Sequence, residues 1–208
     1  MSSRKIQPVK DNSEKQLTYQ NNMDRYKLAM NNGFFCEAIV IDYAMIEDRL
    51  LSMIYHMGFR VNRDKLKISG KNKAFLQRIV SEYKLEKESS TLGIISIAGK
   101  LKIVSCVYRW AAETEEDYSD NRYLSVLKSQ IEGTDIGLMF TTIDEINLWK
   151  DCRNEVIHSL LNKNTVGMSE QLPTIAEEGM RLARILDNQN RILKSGNRIR
   201  RSCNMSMN

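Results

Sequence analysis

Arg153, Asn154 and His158 fall within eight consecutive residues, Asp151-Cys152-Arg153-Asn154-Glu155-Val156-Ile157-His158, and bring together a fixed cation, an amide and a titratable imidazole. Histidine exchanges protons near neutrality, and the planar guanidinium of arginine matches phosphate oxygens. These are the side chains that phosphodiester cleavage without a metal requires. The chain has 2 histidines in 208 residues, so a histidine at this place counts.

An ideal helix of 3.6 residues per turn separates Arg153 from His158 by about 140°. Asp151, Asn154 and His158, spaced i, i+3 and i+7, share one edge instead. One helix therefore does not aim Arg153 and His158 at a single phosphate, except through the reach of the arginine. A second copy across a twofold axis completes such a site, lining one basic cleft with two of each residue.

The elements that must position these residues read as helices. Two prolines and 10 glycines leave long uninterrupted stretches. The spacing predicts a first helix over residues 13–30, with Leu17, Met23, Tyr26 and Met30 on one side and a stop at Asn31-Asn32-Gly33. The most hydrophobic segment, 34–56, carries Ile39, Tyr43, Ile46, Leu50 and Ile54 and predicts a central helix ending before Met57-Gly58. The basic stretch 60–67 reads as a loop and no segment as a hairpin. A third helix over 72–84 carries Phe75, Ile79 and Tyr83. Residues 92–112 favour helix, with strand as the alternative. Further helices are predicted over 123–131, 142–162 and 172–193. The 142–162 helix starts with hydroxyls and acids at residues 141–145 and buries Ile146, Trp149, Cys152, Val156 and Leu160. The expectation is an all-α bundle of about six to seven helices: a flexible segment 1–12, one domain 13–195 and a basic flexible tail 196–208.

Composition bounds the function. A hydrophobic fraction of 42% and a charged fraction of 27% are those of a soluble globular protein. No apolar run approaches a membrane span, and the polar N-terminus lacks the apolar core of a secretory signal, so a cytoplasmic protein is expected. Cys36, Cys106, Cys152 and Cys203 lack the paired spacing of a zinc site or a disulfide framework, which predicts reduced thiols, three of them in the core. No metal or cofactor is called for. A net charge of +5 mildly favours polyanionic partners such as RNA. No glycine-rich phosphate loop, His-Glu-x-x-His helix or Ser-centred nucleophile elbow occurs.

The pattern Arg153-Asn154-Glu155-Val156-Ile157-His158, late in an all-helical chain, resembles the HEPN superfamily (higher eukaryote and prokaryote nucleotide-binding). That resemblance rests on the motif and the helical layout. It implies a helical bundle that commonly dimerises and acts as a metal-independent endoribonuclease in toxin–antitoxin, phage-defence or RNA-processing systems. Carried over, it makes Arg153 and His158 catalytic and Asn154 a supporting residue, with Asp151 on the same edge. It places Asp42 or Glu47 beside Arg153 to orient it, Glu47 being preferred because Tyr43, Glu47 and Leu51 share a face. The bland reading pairs these acids with Arg49 or with lysines. A homodimer and a cognate antitoxin or regulatory protein are the partners it implies, with no membrane. In one toxin branch a tyrosine stands two places after the histidine; here Leu160 does, a departure from that branch.

The rival reading is a non-catalytic HEPN-like module that binds RNA or another protein. His56 reads as a structural residue at a helix end. Tyr108-Arg109-Trp110 offers stacking for a base, although Trp110 fits a core position better.

Overall fold

In the computed structural model the described residues are 12–62, 65–67, 75, 96–159 and 170–196. Their order is α1 (Asn12–Asn31), α2 (Phe35–His56), β1 (Arg60–Asn62), β2 (Lys65–Lys67), α3 (Ile97–Glu113), α4 (Arg122–Glu132), α5 (Ile136–Ser159) and α6 (Leu172–Gly196). The fold is all-α, with β1 and β2 as one short antiparallel pair.

The central helix is α2, as its composition predicts. Ile39, Ile46, Leu50, Met53 and Ile54 are fully buried, and each such side chain contributes about 1.5–3 kcal/mol relative to exposure. The most extensive helix contact joins α2 to α6, and α1 and α3 also pack on α2. Helix α5 lies against α6 and α3. The first helix stops where expected: Gly33 adopts φ 74°, and the Phe34 N–H reaches back to the Ala29 carbonyl at 2.8 Å, the closing bond of a left-handed helix cap. Leu17, however, is 57% exposed. It precedes Met23 by six positions, which turns it about 120° away from that side chain.

Residues 97–113 are helical, so the strand alternative falls. Ser96 caps the helix by accepting from Gly99 N–H at 3.2 Å, and buried Ile97, Leu101, Val104, Tyr108 and Ala111 recur every three or four residues. That period belongs to a helix whatever the β-branched content. Tyr108 and Trp110 are both buried, so the stacking platform for a base does not exist there. Phe75 packs edge-on to Trp110 with ring centroids 4.8 Å apart. The rest of the predicted 72–84 helix lies outside the described residues, as do residues 1–11 and 197–208 of the two predicted end segments.

Two further expectations are corrected. Residues 60–62 and 65–67 form two antiparallel strands, pairing Arg60 with Lys67, Val61 with Leu66 and Asn62 with Lys65. Three residues per strand are too few to display an alternating pattern. Helix α5 also starts six residues before residue 142. Asp135 caps it, accepting from Leu138 N–H at 2.9 Å, while the Thr141 and Thr142 hydroxyls donate back to the Gly137 and Leu138 carbonyls. Threonine inside a helix makes that bond as readily as it caps one.

Gly179 sets the spacing of α2, α5 and α6. A Cβ at this position would lie 2.7 Å from Trp149 Cζ2 and 2.8 Å from Asp42 Cβ and Oδ2. Gly179→Ala should therefore lower stability by about 1–3 kcal/mol in urea unfolding. Gly137→Ala is the control: its Cβ would meet Asp135 Oδ1 at an ordinary 3.7 Å, and relief of the glycine penalty makes it neutral or stabilising by up to about 1 kcal/mol.

Candidate functional site

Helix α5 carries the candidate residues, and its anchor decides where each one points. Trp149 and Val156 are buried, and the Trp149 Nε1–H donates to the Ile175 carbonyl at 2.8 Å. Arg153 follows Trp149 by four residues and so lies on nearly the same face. Its guanidinium is half-buried and stands over the Tyr43 ring of α2, Cζ being 4.3 Å from the ring centroid. This is a cation–π contact between α5 and α2. The Arg153 Nη1 donates to Asn154 Oδ1 at 3.1 Å. Its Nε is buried and, among the described residues, has no acceptor.

His158 lies nine residues after Trp149, about 180° round the helix, and is exposed. Arg153 thus faces inward toward α2 and His158 faces solvent. Asn154 is half-buried and gives its carbonyl oxygen to Arg153. Asp151 is also exposed, 3.5 Å from Lys150 Nζ. Cys152 is exposed too, against the expected core position. It stands about 60° from Trp149, on the side away from Arg153, and Leu160 lies outside the described residues.

Neither expected acid pairs with Arg153. Glu47 Oε1 is 2.7 Å from Lys100 Nζ of α3, and the Lys100 side chain is only 6% exposed. The bland reading of this acid, a lysine partner, is the observed one. Arg49 is taken by Asp187 at 2.8 Å. His56 closes α2, its ring edge-on to Tyr55.

Sequence reasoning missed Tyr43 as the support beneath Arg153, and it missed Lys100. A signal for Lys100 was present. It is the one charged residue that interrupts the buried positions Ile97, Leu101 and Val104. A cavity of about 380 Å³ where Tyr26 meets α6, lined also by Met180, Arg184 and Ile185, contains none of the predicted site residues.

The chain matches no family model, no curated protein and no solved structure. Among the described residues no helix is long and apolar enough to cross a membrane. The site must be judged on its own geometry.

Asp42 is fully buried, and among the described residues neither carboxyl oxygen has a hydrogen-bond partner. Burial pushes its pKa from 3.8 up to about 8, with the charge of Arg184 opposing the rise. A neutral carboxyl is cheaper to bury than a carboxylate. The folded protein keeps this proton up to about pH 8, whereas the unfolded chain releases it near about pH 4. In that window the folded state binds more protons, so the stability due to neutral Asp42 is present at acid pH and is lost as pH rises toward 8. Urea unfolding across the window should show wild type losing up to about 1.4 kcal/mol per pH unit relative to Asp42→Asn. Parallel profiles for the two proteins would refute the assignment.

Proposed function

We propose that the protein is a metal-independent, HEPN-like endoribonuclease that acts as a homodimer. The observation that carries this reading is the state of Arg153: its half-buried guanidinium is held over Tyr43, five positions before an exposed His158. A half-buried guanidinium is suited to a phosphate oxygen, since charge-assisted hydrogen bonds gain from partial desolvation.

In the proposed reaction a ribose 2′-hydroxyl attacks the adjacent phosphorus and the 5′-oxygen leaves. His158 acts as general base or general acid, and Arg153 stabilises the charge that builds on the non-bridging oxygens. Asn154 keeps the guanidinium in place through its Oδ1. The products are a 2′,3′-cyclic phosphate and a 5′-hydroxyl. Because Arg153 and His158 diverge on one chain, the reading places a second copy across a twofold axis, with the imidazole of each chain beside the guanidinium of the other. A toxin or phage-defence role in the cytoplasm, under a cognate antitoxin or regulatory protein, follows from the resemblance.

With labelled RNA in EDTA, wild type should cleave and leave a cyclic phosphate detectable by mass spectrometry. His158→Ala should lose about 10²–10⁴-fold in rate, and Arg153→Ala a comparable factor. Binding without cleavage by wild type would favour the non-catalytic module. Full cleavage by His158→Ala would remove the proposed mechanism.

A further inference from the structure

Strands β1 and β2 pair in a register that sorts their residues by chemistry. Arg60 stands opposite Lys67, and Asn62 opposite Lys65. Residues two apart on a strand share a face, as do residues directly opposite on neighbouring strands. Arg60, Asn62, Lys65 and Lys67 therefore occupy one face of the pair, and Val61 and Leu66 the other. Three cations and no acid fall on these strand positions. Directly opposite residues have Cβ atoms about 4.5–5.5 Å apart, where like charges are destabilising. Protection of a strand edge asks only for charge, and an acid opposite Arg60 would protect it while stabilising the pair. The fold therefore gives no reason to set Lys67 against Arg60.

A polyanionic partner supplies one. The chain that enters β1 is fixed at its base: Met57 and Phe59 are buried, and Gly58 between them adopts φ 92°. The Phe59 N–H donates to the Ile54 carbonyl at 3.3 Å, and the Tyr123 hydroxyl donates to the Met57 carbonyl at 3.0 Å. A surface anchored in this way loses little freedom on binding. A nucleic-acid strand carries one negative charge per nucleotide and gains affinity from cations alone, by release of counterions. A bilayer surface draws on buried apolar area as well as charge. Val61 and Leu66 lie on the face opposite the cations, so charge and apolar contact are not offered to one plane together. The register favours the strand.

We propose that the face of β1 and β2 bearing Arg60, Lys65 and Lys67 binds the phosphate backbone of a single RNA strand, independently of its base sequence. The choice of RNA rests on the proposed function, whereas the contact itself requires only phosphates. Tyr43, beneath Arg153, precedes the end of α2 at His56 by 13 residues, about 20 Å along the helix axis. The basic face is thus a second contact for the strand, separate from the phosphate assigned to Arg153.

The test measures binding of a fluorescein-labelled 2′-O-methyl oligouridylate by fluorescence anisotropy as salt is raised. This probe has phosphodiesters but no free 2′-hydroxyl, so binding is read apart from cleavage. Each phosphate contact to a single strand adds about 0.7 to the slope of log affinity against log salt, so three contacts alone weaken binding about 20-fold between about 50 and 200 mM. Lys65→Gln combined with Lys67→Gln should bind more weakly at low salt and lose about sevenfold less over the same range. Lys27→Gln combined with Lys102→Gln removes the same charge from exposed positions on α1 and α3 and should keep the wild-type slope. Lys65→Arg combined with Lys67→Arg should bind as wild type does. Thermal melts report the folding of each variant. If the Lys65/Lys67 glutamine variant does not fold, threonine, a better strand former, replaces glutamine at both positions. No binding by wild type, a wild-type slope in the folded neutral variant, an equal change of slope in the Lys27/Lys102 control, or lost binding in the arginine variant overturns the proposal. So does binding to phosphatidylglycerol vesicles but not to the oligonucleotide. Binding as expected without cleavage of RNA overturns the nuclease reading alone.

Discussion

The approach of α6 to α2 and α5 at Gly179 governs the arrangement around the candidate site. Packed helices normally keep side chains between their axes. Here the backbone of Gly179 lies where even a methyl group would contact Trp149 and Asp42. Trp149 is pinned a second time by its bond to the Ile175 carbonyl, so the rotation of α5 about its own axis is set. Once that angle is set, Arg153 must face α2 and His158 must face solvent. The orientation of the two residues with chemical potential is thus a consequence of a glycine on another helix.

The same region handles two buried charges in different ways. Asp42 has no hydrogen-bond partner among the described residues, and burial shifts it toward the neutral acid. Lys100 keeps its charge company with Glu47. Burial of an ionisable group is tolerated either by neutralising it or by pairing it, and α2 uses both routes within six residues. Between them on the same helix stands Tyr43, whose ring carries Arg153. A helix that is otherwise the apolar centre of the fold therefore also supplies the support for the half-buried guanidinium of α5.

Helix positions were legible wherever apolar spacing and a terminal signal agreed. Residues 13–30 and 34–56 match α1 and α2 closely because the three-and-four spacing runs into Asn31-Asn32-Gly33 and Met57-Gly58. The start of α5 was misplaced because Thr141 and Thr142 resemble caps, whereas Asp135 provides the cap. Cys152 was placed in the core by its spacing from Trp149 and Val156. It is exposed, so that spacing alone does not place it in the core.

The divergence of Arg153 and His158 was determined by the sequence alone, since their separation of five residues and the helical repeat leave no freedom in the angle between them. So was the all-helical character, which follows from periodicity and the scarcity of proline. The direction in which the pair points, and the partner each acid chooses, were decided only in three dimensions. Glu47 was expected beside Arg153 and instead meets Lys100, which is 53 residues away in sequence and on a different helix. Long-range pairing of charges depends on which helix faces are brought together, and local spacing carries no information about that.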